Sequence, residues 1–225
     1  MNLIGIDISI DSTAVSLYRK NEIIISNFTT LKQNVNWIRK TMDIIDYEFI
    51  NYTYKEIDNY TENEIMKLRE YEHVTDLIYK KILGNIDKNE KTIMAVEGYN
   101  YGLRGNSIID IVSFSTLLKI KLLNIPKLEK MIMVSPMSLK SFACESTYGY
   151  ILTKSGKKII NKNPKGIAGG KFDKKHMLEA IISSGGSDKL SLLLDKYKDD
   201  LLKLKNVPKP FDDCVDADFL RRIIS

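Results

Sequence analysis

Leu3-Ile4-Gly5-Ile6-Asp7-Ile8 is an apolar run of strand length with one carboxylate inside it, and its reading decides how the rest of the chain is understood. An ionised Asp in apolar company is costly unless something compensates its charge. Backbone amides would do so, and so would a divalent metal shared with acids from elsewhere; periodicity alone does not separate the two. Outward from this strand, Ser9 to Ser12 is a turn rich in small polar residues. Thr13–Tyr18 then alternates as a second strand, Lys20-Asn21 is a tight connection, and Glu22–Thr30 is a third. Three strands joined by short turns predict an antiparallel meander.

Beyond the meander the pattern changes to strands separated by helices. Apolar spacing is helical from Val35 to about Asp46, and residues 50 to 60 are polar without clear period. Thr61 with Glu64 in capping-box position opens a helix that runs to about Leu83, where Gly84 is expected to stop it. Thr92–Val96 is a buried strand that exits on Glu97, repeating the oddity of Asp7. Ser107–Leu123 has helical period, Met131–Val134 is a fifth short strand, and Pro136–Phe142 starts another helix. Residues 144 to 171 are rich in Gly, Lys and Asn, a long loop or small hairpin. Helices are predicted over Phe172–Ser183 and Leu190–Leu204, and Pro208 and Pro210 introduce a last one, Phe211–Ile224. The whole predicts a mixed α/β sheet covered on both faces, in one domain over residues 1–225.

The 225 residues are 44% hydrophobic and 28% charged, an ordinary globular composition. Two cysteines, Cys144 and Cys214, make no disulfide framework, and with only His73 and His176 beside them no zinc-ligand spacing occurs. A reducing intracellular compartment fits. No export signal or membrane span is expected, because the longest apolar stretch, residues 108 to 125, is broken by Asp110, Lys119 and Lys121. The net charge of +5 alone suggests only a solvated surface. Its distribution says more: residues 151 to 175 hold Lys154, Lys157, Lys158, Lys162, Lys165, Lys171, Lys174 and Lys175 against one acid, Asp173. Such a stripe is the footprint of a polyanion, nucleic acid first among candidates.

The last helix carries Asp213 and Asp216 at i, i+3, about 5–6 Å apart at Cβ. Like charges so placed repel. The spacing suits a cation between them, or two solvated acids near a helix N-terminus, where the macrodipole favours them. Asp212 and Asp216 at i, i+4 share a face equally well, and Asp218 reads as solvent-facing. Taken with Asp7 and Glu97, acids occur in apolar company at three sequence-distant places. Oxygen ligands without His or Cys select Mg²⁺ or Mn²⁺.

These blocks together carry a resemblance. Gly5-Ile6-Asp7 with Ser12-Thr13, Val96-Glu97-Gly98-Tyr99-Asn100-Tyr101-Gly102, Ser135-Pro136 with Leu139-Lys140-Ser141-Phe142-Ala143, Lys174-Lys175-His176-Met177, and Asp213-Cys214-Val215-Asp216-Ala217 follow in that order along nearly the whole chain. The chain resembles the RuvC Holliday-junction resolvases of the RNase H-like superfamily, and more closely their phage and viral relatives. The resemblance implies an RNase H-like mixed five-stranded sheet, three strands as the meander plus two parallel ones. It also implies a homodimer and Mg²⁺-dependent cleavage of four-way junction DNA, with two ions per active site and Mn²⁺ able to substitute. Asp7, Glu97, Asp213 and Asp216 become the metal ligands and Lys174 the lysine near the scissile phosphate. Lys140 matches a basic position on the helix after strand five. A viral source would place the protein in the host cytoplasm or nucleus.

Departures from that pattern mark this chain. The gap from Asp7 to Glu97 is longer than in bacterial RuvC, so an inserted element is expected at about 31–60, and 144–171 is likewise extended. The place of the bacterial aromatic wedge falls at Asn100, between Tyr99 and Tyr101, either of which is able to stack on an unpaired base or to serve as packing. The expected DNA contacts are thus Tyr99, Tyr101, Lys140, Lys154, Lys157, Lys158, Lys171 and Lys175. A nuclease acting on flaps, duplex DNA or RNA:DNA hybrid uses the same acids, and a non-catalytic nucleic-acid-binding derivative of the fold shares the sheet. The actin-like and sugar-kinase ATPases also begin with a Gly-x-Asp strand, but Gly169-Gly170 and Gly185-Gly186 do not follow strands here.

Overall fold

A computed structural model describes residues 1–30, 35–52, 58–99, 107–156, 158–160, 172–184, 189–204, 206–209 and 211–225. The chain opens with the predicted meander, β1 (Asn2–Asp7), β2 (Ser12–Arg19) and β3 (Glu22–Thr30), paired antiparallel. Lys20 and Asn21 both take positive φ in the tight turn between β2 and β3. Strand β5 (Thr92–Glu97) pairs parallel with β1, and β6 (Leu128–Val134) parallel with β5.

The inserted segment adds a strand that the helical reading of 35 to 46 missed. Helix α1 is only Val35–Thr41, and β4 (Ile45–Ile50) pairs parallel with β3 to make a sheet of six strands in the order β4-β3-β2-β1-β5-β6. The cause lies in the sequence Ile45-Asp46-Tyr47-Glu48-Phe49-Ile50, an alternation with acids that suits an edge strand. Asp46 and Glu48 both reach Lys81, at 2.6 and 2.9 Å.

Lys81 belongs to α2 (Tyr60–Asn85), which differs from expectation at both ends. Its cap is Asn59, whose side chain accepts from the Glu62 N–H, rather than Thr61, and Gly84 lies inside the helix. Helix α3 (Ser107–Leu122) packs beside α2, tied at its start by Lys67 to Asp110. Together they cover one face of the sheet over Ile4, Ile6, Val15, Leu17, Met94 and Val96. Among the described residues no helix is long and apolar enough to cross a membrane.

The opposite face carries α4 (Pro136–Tyr148), α5 (Lys174–Ser184), α6 (Lys189–Lys196), α7 (Lys198–Lys203) and α8 (Phe211–Ile223). Helix α4 runs beyond the predicted Phe142 to a Gly149 cap at φ 73°, and a small hairpin follows, β7 (Tyr150–Leu152) with β8 (Lys158–Ile160). The helix predicted over 190 to 204 is broken at Tyr197 into α6 and α7.

Strand period now explains where α8 sits. Residues two apart share a sheet face, so Ile4 and Ile6 point to α2 and α3, while Gly5 and Asp7 point to α8. By the same rule Ala14 and Ser16 of β2 and Ala95 and Glu97 of β5 face α8. The strip beneath that helix is therefore small. A Cβ on Gly5 would meet the Ala217 carbonyl oxygen and the Arg221 backbone nitrogen well inside van der Waals distance. With the sheet on one side and α4 and α5 on the other, residues 211 to 221 of α8 are all buried.

Candidate active site

Parallel pairing of β1 with β5 sets Ile6 opposite Val96, so the next residues, Asp7 and Glu97, leave the sheet side by side at its carboxyl-terminal edge. Helix α8 crosses the same edge and brings Asp213 and Asp216 to them. All four line one cleft of about 700 Å³, with Lys140, Lys174 and Lys209 on its walls. The turn after β1 is held by Thr13, whose hydroxyl donates to the Ser9 carbonyl at 2.6 Å. The fold thus converges acids separated by more than two hundred positions in sequence.

Burial makes these acids expensive. Asp7, Asp213 and Asp216 are 4%, 2% and 6% exposed. Desolvation raises Asp7 well above the ordinary carboxylate range, and the neighbouring charges of Glu97, Asp213 and Asp216 add to it. Asp213 is raised to about 7, by burial first and then by Asp212. Asp216 is raised to about 6, again by burial, with Lys174 opposing.

One ammonium group stands among them. Lys174, at the start of α5, lies 2.9 Å from Asp216 Oδ2, 3.2 Å from Asp212 Oδ2 and 3.7 Å from Asp213 Oδ1. Burial alone would lower its pKa, but the carboxylates of Asp216, Asp7, Asp212 and Asp213 outweigh that and raise it. Lys209 approaches Asp213 Oδ1 at 3.8 Å from the turn before α8. The choice left open between Asp212 and Asp213 is informed by geometry. Asp212 is turned to a neighbouring groove and is fully engaged, its Oδ1 accepting from the Asp213 N–H at 2.9 Å and its Oδ2 from Lys174. Asp213 lines the cleft with Asp7 and Glu97.

The donor set suits a hard divalent cation. It is entirely carboxylate oxygen, and two of those oxygens, Asp213 Oδ2 and Asp216 Oδ1, are buried with no hydrogen-bond partner. Unpaired buried oxygens of charged groups are costly and rare. Among the described residues no cation lies within ion-pair distance of Asp7 or Glu97, and no three Asp, Glu, His or Cys side chains are yet closed around a single point.

Next to the cleft runs a groove of about 630 Å³ lined by Lys140, Lys174, Lys175, Asn206 and Asp212. Lys140 and Lys174 line both spaces, so the two are adjacent. Lys175 is held by donating to the Leu204 carbonyl at 3.0 Å.

No protein-family model matches the chain, and no curated protein matches it. Solved structures do. Thermus thermophilus RuvC aligns over 99% of this chain and 96% of that one at 11% identity, with a TM-score of 0.45. A second structure, T. thermophilus RuvC in complex with a Holliday junction substrate, aligns over the same shares at 10% identity and a TM-score of 0.44.

The remaining expected site residues are dispersed. Tyr99 lies against α3, its hydroxyl 2.9 Å from Thr116 Oγ1 and one ring face covered by the Lys119 ammonium at 3.9 Å. Burial lowers the Lys119 pKa, with Tyr99 and Glu97 opposing. Lys154 is exposed in the turn of the β7–β8 hairpin and Lys158 lies in β8. Tyr101, Lys157 and Lys171 fall outside the described residues. Two features escaped sequence reasoning. Lys209 precedes Asp213 by four residues, a spacing that signals a pair only once the turn is known to lead into the helix. Asp218, expected to face solvent, is fully buried and accepts from Ser16, Arg221 and Arg222.

Proposed function

We propose that this protein is an Mg²⁺-dependent endonuclease that cleaves branched DNA, four-way junctions foremost. The observation that carries the reading is the convergence of Asp7, Glu97, Asp213 and Asp216 at one sheet edge with two buried oxygens unpartnered, beside a lysine-lined groove. Divalent ions held by these acids would activate water for attack on a phosphodiester and stabilise the leaving oxygen. The protein's own contribution is to fix the acids on a rigid strand pair and helix. Lys140, Lys175 and Lys209 attract the phosphate backbone, and Lys174 stands between groove and acids, where it meets a phosphate near the reacting bond.

Branched substrate and homodimer are supported by the ordered sequence blocks, which also keep the likeness on the phage and viral side. A junction has two symmetric strands to cut, so two sites in fixed relation are needed. The face assigned to that pairing is the exposed part of α2 and α3: Ile65 and Leu68, with Ile109 and Val112. Phe114 and Leu118, on the other side of α3, serve the core.

The test is a cleavage panel with Mg²⁺ on four-way junction, flap, linear duplex and RNA:DNA hybrid, alongside the molar mass in solution. Junction nicked in paired strands by a dimer is expected. Preferential cleavage of the hybrid by a monomer would replace the resolvase reading with a nuclease of other specificity, and no cleavage of any substrate would leave a non-catalytic nucleic-acid binder.

A further inference from the structure

The oxygens of the acidic cluster are shared unequally. Three carboxylates, Asp212, Asp213 and Asp216, each give one oxygen to the single ammonium of Lys174. An ammonium is a compact charge with three donors, and here three acids surround it. The second oxygens of Asp213 and Asp216 are orphaned, and among the described residues Asp7 and Glu97 have no cation within ion-pair distance, although Lys174 acts on Asp7 from farther off. Lysine is therefore in direct contact with one side of the site, Asp212, Asp213 and Asp216, and not with the other, Asp7 and Glu97.

We propose that Lys174 occupies one of two cation positions, so that the protein without DNA takes up a single divalent ion and admits a second only when Lys174 is drawn away. The inference rests on the metal-dependent reading above and deepens it. The structure provides the destination for the lysine: Lys174 lines the groove as well as the cleft, and Lys140, Lys175 and Asn206 line that groove with it. A backbone phosphate lying there competes with the three carboxylates for the same ammonium. Engagement of a strand would thereby uncover the oxygens that complete the site. Lys174 has the reach for this, with a flexible four-carbon stem and 40% of its side chain exposed.

The experiment counts Mn²⁺ bound in the absence of DNA, by the loss of the free-ion electron paramagnetic resonance signal, on the full chain. Wild type, Lys174→Met, Lys174→Gln, Lys174→Arg and Asp7→Asn are compared, with circular dichroism establishing that each is folded. One ion is expected for wild type and for Lys174→Arg. Two are expected for Lys174→Met and Lys174→Gln, or one ion bound at least about tenfold tighter, because an ammonium some 4 Å away no longer opposes it. Asp7→Asn should weaken the first ion. Two ions on wild type, or equal counts and affinities for wild type and both neutral variants, would overturn the role of Lys174 while leaving a metal site. No Mn²⁺ on any folded form would overturn the metal-dependent reading itself.

Discussion

Helix α8 carries two sets of buried acids, and their surroundings differ. Asp218 is fully buried, yet its oxygens accept from the Ser16 hydroxyl at 3.1 Å, from Arg221 at 2.7 Å and from Arg222 at 2.6 Å. Less than two turns earlier, Asp213 and Asp216 are nearly as buried, and each keeps one oxygen without a partner. Burial is common to both. What separates them is whether the chain completes the compensation, and an acid held buried but incompletely paired is the one that calls for something outside the chain. The Asp218 network fastens α8 to β2 through Ser16, so the satisfied acid holds the unsatisfied ones over Asp7.

The contrast is open to attack at either end. Asp7→Asn or Asp216→Asn should reduce Mg²⁺-dependent cleavage by about 10³-fold or more with DNA binding largely kept; full cleavage by either variant would end the two-metal assignment. Asp218→Ala should act on stability instead, costing about 3–5 kcal/mol by leaving Arg221 buried and unpaired, read from denaturant unfolding. Its remaining folded fraction should cleave normally. A catalytic loss in folded Asp218→Ala as large as that of Asp7→Asn would erase the distinction between the two sets.

A smaller effect concerns pH. Asp213 and Asp216 titrate near 7 and 6, above the ordinary 3.8, so the native state keeps protons that the unfolded chain has released. The contribution of these two acids to the stability of the metal-free protein should then be most favourable below about pH 4, fall as pH rises to about 7, and level off above. The expected change is on the order of 5 kcal/mol, seen in melts with chelator. Asp216→Asn should flatten this slope and raise stability at pH 8; an unaltered slope would mean that these acids are better compensated than their geometry indicates. Smallest are the groove lysines: Lys140→Ala and Lys209→Ala should each reduce the salt slope of DNA binding by about one, whereas Lys154→Ala in the hairpin turn tests whether the stripe read from sequence reaches the DNA at all.

How much of this could be read beforehand follows from which signals are local. Asp7 and Glu97 stood out because each interrupts an apolar strand run, and the meander and its turn at Lys20-Asn21 were plain from alternation. Strand β4 was hidden because its acids, Asp46 and Glu48, fit a helical pattern until their pairing with Lys81 is seen. Assigning faces on α8 failed for Asp218 because eleven consecutive residues are buried and no polar stripe remains to mark an outside. The orphan oxygens, and Lys174 shared among three carboxylates, depend on contacts between β1, α5 and α8 that no window of sequence contains.

The account turns on whether Asp213 and Asp216 await a divalent ion, and thermal melting at pH 8 with and without Mg²⁺ tests that most directly. Wild type should gain roughly 5–10 °C at a concentration about a hundred times the dissociation constant, while an Asp213→Asn/Asp216→Asn double variant should gain nothing and already melt above metal-free wild type. Equal Mg²⁺ shifts in the two proteins, or none in wild type, would contradict it.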